Sequence, residues 1–134
     1  MSFTLPIKIV FQHCDPAGIV FYPRYFEMIN LTVEEWFAQR LGLSFAEMHG
    51  ARRGVPTATI EADFPAPSRL GDLLEAELTV TKLGRTSVGL QITAKAGDEV
   101  RMQVRSVLVY VDLDTGRPIP WPEDVRARMA GDQV

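Results

Sequence analysis

One cysteine, Cys14, stands in a chain of 134 residues. That excludes an internal disulfide framework and points to a reducing compartment. Histidine is nearly as scarce. Only His13 and His49 join Cys14 as nitrogen or sulfur ligands, and no pair among them has a zinc spacing, so no metal site is expected. Long apolar runs are missing too. The longest, such as Val107–Val111, are far too short to span a bilayer, and Met1–Lys8 lacks the apolar stretch of a signal peptide. Neither charge dominates: 14 Lys+Arg against 17 Asp+Glu leave a net −3 with no basic stripe, which argues against a nucleic-acid partner. No Gly-rich loop joins a strand to a helix, so nucleotide-binding motifs are absent, as is a nucleophile elbow. With no repeat or linker and an ordinary 46% of apolar residues, a single soluble, cytoplasmic domain over 1–134 is expected.

What the chain does have is two clean periodicities. Leu5, Ile7, Ile9 and Phe11 alternate with Pro6, Lys8 and Val10 and predict a first strand. Tyr22, Phe26, Ile29, Val33, Trp36, Phe37 and Leu41 then trace one stripe of a helix of about five turns. Pro23 suits its first turn and Gly42 its end. Ser44 and Glu47 form a capping box for a short second helix closed by Gly50. After Gly54 the period returns to two, through Ile60–Phe64, Leu74–Thr81, Val88–Lys95 and Val100–Arg105, with hairpin-length connectors at Leu83–Arg85 and Gly97–Glu99. Val107–Val111 is apolar on both faces and predicts a second covering surface there. Pro118–Asp124 leads into a last helix running through Arg128. The expected fold is α+β: one five-stranded antiparallel sheet wrapped around a long, very apolar helix. One helix cannot cover five strands, so self-association is expected.

The segment that stands out chemically lies between the first strand and the long helix. Asp15-Pro16-Ala17-Gly18 has type I turn chemistry at every position. It also sets a carboxylate next to the unpaired N–H groups of a helix start. A carbonyl oxygen can accept from such an N–H while Asp15 attacks the carbon or deprotonates water, which is acyl chemistry. Pro23 has no N–H, so Tyr22 and the residues after Pro23 hold the donors. Cys14 beside His13 reads as a small buried apolar group, because neighbouring side chains on a strand end point apart. Phe21, Phe26, Met48, Val55 and Pro56 are candidates to line an apolar pocket.

The run His13-Cys14-Asp15-Pro16-Ala17-Gly18-Ile19-Val20-Phe21-Tyr22-Pro23-Arg24-Tyr25-Phe26 resembles the signature of the 4-hydroxybenzoyl-CoA thioesterase family, whose fold is the hot-dog fold. The likeness extends through Phe64-Pro65, Leu70-Gly71-Asp72, Leu83–Ser87 and Pro118–Arg128, so it covers nearly the whole chain. It implies hydrolysis of an acyl-CoA, an aromatic one such as 4-hydroxybenzoyl-CoA included, with no cofactor. It puts the catalytic carboxylate, nucleophile or general base, on Asp15 and the polarising backbone N–H on Tyr22. It sets Arg85, with Thr86 and Ser87, near the CoA nucleotide. Gly84 departs from the family, where a second basic residue can stand. The resemblance further implies sites between protomers of a homotetramer built as a dimer of dimers. Two other classes remain open: a hot-dog hydratase or dehydratase, for which His13 and His49 are the only histidines, and a non-catalytic acyl-thioester-binding module.

Overall fold

The first strand is shorter than its alternation predicts. In this computed structural model, which describes residues 1–134, β1 covers Phe3–Lys8. Val10 gives its N–H to His13 Nδ1 at 3.0 Å and the chain turns through a short 3₁₀ segment, Phe11–His13. Phe11 therefore stands 82% exposed instead of entering the core. The long helix α1 spans Pro23–Trp36 and continues as a π-helical turn, Phe37–Leu41. Gly42 ends it at φ +71, a left-handed conformation that an L side chain resists. The stripe is buried through Ile29, Val33, Trp36, Phe37 and Leu41, with Tyr25, Met28 and Thr32 alongside, whereas its first members, Tyr22 and Phe26, face out.

Helix α2 (Phe45–Gly50) has its capping box closed in both directions, Glu47 N–H to Ser44 Oγ at 3.1 Å and Ser44 N–H to Glu47 Oε1 at 3.2 Å. A two-residue strand, β2 (Arg53–Gly54), follows, with no periodic signal to announce it. Then come β3 (Thr57–Asp63), β4 (Leu73–Leu83), β5 (Ser87–Ala96), β6 (Glu99–Val109), the short β7 (Val111–Asp112) and α3 (Glu123–Gly131). The main sheet has the order β1-β4-β5-β6-β3, with every pair antiparallel. One face, formed by residues such as Leu78, Leu90, Ile92 and Val104, shares a single apolar core with α1. This is the expected sheet around a long helix.

The tail explains part of the apolar Val107–Val111 run. Val111 pairs with Gly54 across β2 and β7, and Tyr110 stacks on Trp121 with ring centres 5.0 Å apart. Burial holds the Tyr110 phenol above its ordinary pKa. Val107 and Val109 stay half-exposed. At the free end of β4, beyond the reach of β1, the last residues extend the edge: Val80 N–H donates to Asp132 O at 2.9 Å and Val134 N–H to Val80 O at 3.1 Å. The other edge is open. In β3 every residue except Ala62 is exposed, Ile60 included.

Candidate active site

Asp15 sits on a small hairpin that the sequence forms for local reasons. Gly18 N–H donates to Asp15 O at 2.9 Å and closes the predicted turn, with Gly18 itself at φ +79. Ala17 N–H donates to Asp15 Oδ1, also at 2.9 Å, the side-chain turn that Asp favours. The other carboxylate oxygen has no partner in the chain. Below the tip, Asp15 N–H meets Ile19 O at 3.0 Å, Cys14 bridges to Val20, and Phe21 N–H meets His13 O at 2.9 Å. The hairpin runs directly into the start of α1.

That start leaves a free donor at Tyr22. Arg24 N–H goes to Phe21 O at 2.8 Å and Tyr25 N–H to Tyr22 O at 3.1 Å. Pro23 has none, and no side chain caps the end. Tyr22 N–H finds no acceptor. A donor left open by sequence thus stands beside the hairpin that carries a half-free carboxylate.

The hairpin is clamped from outside by residues 68–72. Val20 N–H donates to Ser68 O at 2.9 Å, Leu70 N–H to Gly18 O at 3.4 Å and Gly71 N–H to Ile9 O at 2.9 Å, while Asp72 O accepts from Ile9 N–H at 2.8 Å. Asp72 Oδ2 accepts from Arg69 N–H at 2.8 Å and from Arg101 at 2.7 Å. These bonds, Arg69's first, hold the Asp72 carboxyl below the usual carboxylate range, and Asp72 in turn raises Arg101 above its own.

One helical turn beyond Tyr22, Phe26 opens a cleft of about 300 Å³ between α1 and the β3–β6 side of the sheet. Val55, Ile29, Val33 and Phe45 line it, and Asn30 brings the one side-chain amide. That amide has no hydrogen-bond partner within the chain, and the sequence reading missed it. Its signal was the spacing, since Phe26 and Asn30 lie four apart on one helix face. Of the expected lining, Phe26 and Val55 are there. Met48 is wholly buried in the core, and Phe21 and Pro56 are exposed outside the cleft.

Arg85 is not brought to Asp15. It lies in the turn after β4, whereas the hairpin sits at the start of β4, and an 11-residue strand is roughly 30 Å long. Arg85 is exposed with no ion pair or hydrogen bond to its guanidinium. Thr86 and Ser87 are half-buried beside it, and their carbonyls are engaged by Tyr110 N–H, Gly84 N–H and Trp121 Nε1–H. Gly84 has a steric reason: a Cβ there falls 2.7 Å from Ser87 Oγ. Arg126 reaches the same turn, donating to Leu83 O at 3.4 Å.

The two histidines form no acid–base pair of the hydratase kind. His13 Nδ1 is committed to Val10 N–H, and burial, outweighing nearby Glu27, holds His13 below its ordinary pKa. Glu27 is paired instead with Arg24 at 3.1 Å. His49 lies on α2, stacked on Phe45. Cys14 is half-buried, its thiol directed at Val10 O at 3.7 Å.

Comparison with known proteins places these features in company. Residues 9–129 match the family described as the Thioesterase-like superfamily. A 4-hydroxybenzoyl-CoA thioesterase of a Pseudomonas species is 29% identical over 133 residues, covering 92% of this chain and 94% of that one. Among solved structures, a 1,4-dihydroxy-2-naphthoyl-CoA thioesterase from Synechocystis superposes with a TM-score of 0.88 at 20% identity, covering 97% of this chain and 96% of the other. A Staphylococcus aureus protein solved in complex with CoA gives 0.91 at 17% identity, covering all of this chain and 87% of that one.

Proposed function

The chain belongs to the Thioesterase-like superfamily, and we propose that it is a single-domain cytoplasmic acyl-CoA thioesterase, splitting an aromatic acyl-CoA with water into the free acid and CoA. Asp15 is the nucleophile or general base, and Tyr22 N–H receives the thioester oxygen as it gains charge. One observation carries this reading: the unpaired Tyr22 N–H at the start of α1 adjoins a hairpin whose carboxylate keeps one oxygen free. The cleft behind Phe26 takes the acyl group. Its apolar walls suit a ring, and the Asn30 amide suits a ring bearing a hydrogen-bonding substituent. The test is thiol release from a panel running from acetyl-CoA to palmitoyl-CoA and including benzoyl-, hydroxybenzoyl- and hydroxyphenylacetyl-CoA. Substituted aromatic substrates are expected to give the highest kcat/KM. Release from none of them sinks the reading.

The open β3 edge and the span between Asp15 and Arg85 support an assembly in which a site draws on two copies. The expected state is a dimer at least, and a tetramer of two dimers at micromolar concentration. A sedimenting species near the chain's own 15.0 kDa would remove the shared site.

Arg85, with Thr86 and Ser87 beside it, meets the CoA nucleotide bound at a neighbouring copy's Asp15. A phosphate contact at an exposed rim holds substrate and transition state alike, so it acts on KM and is salt-sensitive. Arg85→Ala is expected to raise KM for an acyl-CoA about five-fold with kcat unchanged. The same acyl group on a truncated pantetheine thioester should show no change. An equal effect on both substrates means that the nucleotide sits elsewhere.

A further inference from the structure

We propose that Arg101 is a positioning residue for Asp15, acting through Asp72 and the 68–72 segment; this rests on the reading of Asp15 as the reacting carboxylate. The starting point is an irregularity in β6. Met102 faces Ala94 and Val100 faces Lys95, so Arg101 is an extra residue with no partner across the ladder. Such a bulge re-aims its side chain. Here the guanidinium is turned out of the solvated row formed by its strand neighbours and is only 14% exposed. It donates to Asp72 Oδ2 at 2.7 Å, to Glu99 Oε1 at 2.6 Å and to Ser68 Oγ at 3.3 Å. An arginine held this far from water with three acceptors is committed to the segment it grips.

That segment belongs to no strand. Ser68, Leu70, Gly71 and Asp72 all spend backbone groups on Ile9, Gly18 and Val20, the two shoulders of the Asp15 hairpin. Ser68 is wholly buried at the contact. The chain of support is therefore β6 bulge, Arg101, Asp72 and Ser68, hairpin, Asp15. None of its supporting members is assigned a reacting or substrate-holding role. Losing Arg101 leaves the sheet paired but frees the hairpin, and a displacement of the order of 1 Å at a reacting group is enough to cost catalysis.

The experiment compares Arg101→Met, and Asp72→Asn as a variant that keeps shape, with the wild-type chain. In both, kcat is expected to fall about ten-fold with KM for the best acyl-CoA within about two-fold, because the misplaced group acts on the transition state. Hydrogen exchange should quicken at the Ile9, Val20 and Gly71 amides and stay unchanged in β5. Guanidinium ion should restore part of the kcat of Arg101→Ala. Full kcat in both variants, or exchange that quickens throughout the sheet, overturns the proposal. If Asp15→Asn loses activity while these variants keep it, the clamp is wrong and the reading of Asp15 stands. If none of them loses activity, that reading itself has failed.

Discussion

Asp15→Asn is expected to lower kcat by about 10²–10⁴, roughly 3–5 kcal/mol in the barrier, while the fold and substrate binding survive. The geometry makes this substitution unusually clean. Asp15 Oδ1 accepts Ala17 N–H, and an asparagine oxygen keeps that bond and the turn. What changes is the second oxygen, which has no partner in the chain. It becomes an amide NH2 that can neither attack a carbonyl nor take a proton from water. Any loss therefore reports chemistry at that atom. Tyr22→Phe is the companion variant: the role proposed for Tyr22 belongs to its backbone N–H and not to its 62% exposed phenol, so kcat should stay within about two-fold. Near-full kcat in Asp15→Asn, measured on the best substrate of the panel, removes Asp15 from the reaction. Unchanged thermal unfolding of both variants is the control that the hairpin is intact.

How much of this was legible beforehand follows the range of the interactions. The turn at Asp15-Pro16-Ala17-Gly18, the Ser44–Glu47 box, the stop at Gly42 and the alternation of β4 and β5 are written within a few residues of one another. All of them form. β1 ends before its alternation does, because Phe11 continues the pattern but His13 captures the Val10 N–H and turns the chain. What the local pattern does not carry is long-range backbone pairing. No side chain announces that Ser68–Asp72 will hold Ile9, Gly18 and Val20, or that Arg53–Gly54 will pair with Val111–Asp112. Arg101 reads in sequence as one more polar member of an alternating strand, and only the β5 register shows it to be the extra residue. That Phe21 O captures Arg24 N–H while Tyr22 N–H stays free is again a fact of the folded backbone. Arg85 is assigned to the CoA nucleotide by resemblance alone, and the length of β4 sets it apart from Asp15 within one chain.

Asp132→Ala is expected to destabilise the protein by about 3 kcal/mol, a fall of roughly 10 °C in Tm at fixed concentration. Asp132 is wholly buried and holds the closing end of the fold together. Its carboxylate accepts Trp36 Nε1–H at 2.9 Å and Arg40 at 2.6 Å, and its backbone carbonyl accepts Val80 N–H. Arg40 goes on to Ser2 O at 3.1 Å, so α1, β4 and the tail meet at Asp132 and the residue before β1 is tied to it through Arg40. Most of the loss comes from Trp36, because its indole N–H is left without an acceptor in the core. Arg40 is about a third exposed and recovers water, so its share is small. The double cycle with Trp36→Phe separates the two contributions. Removing the indole N–H first should shrink the cost of Asp132→Ala to well under half, since no orphaned donor then remains. An Asp132→Ala variant that melts within about 2 °C of wild type would mean that the tail merely lies on the sheet edge. The Asp15 end, at the other terminus of α1, should be untouched: kcat at a temperature well below both transitions is expected to equal that of the wild type.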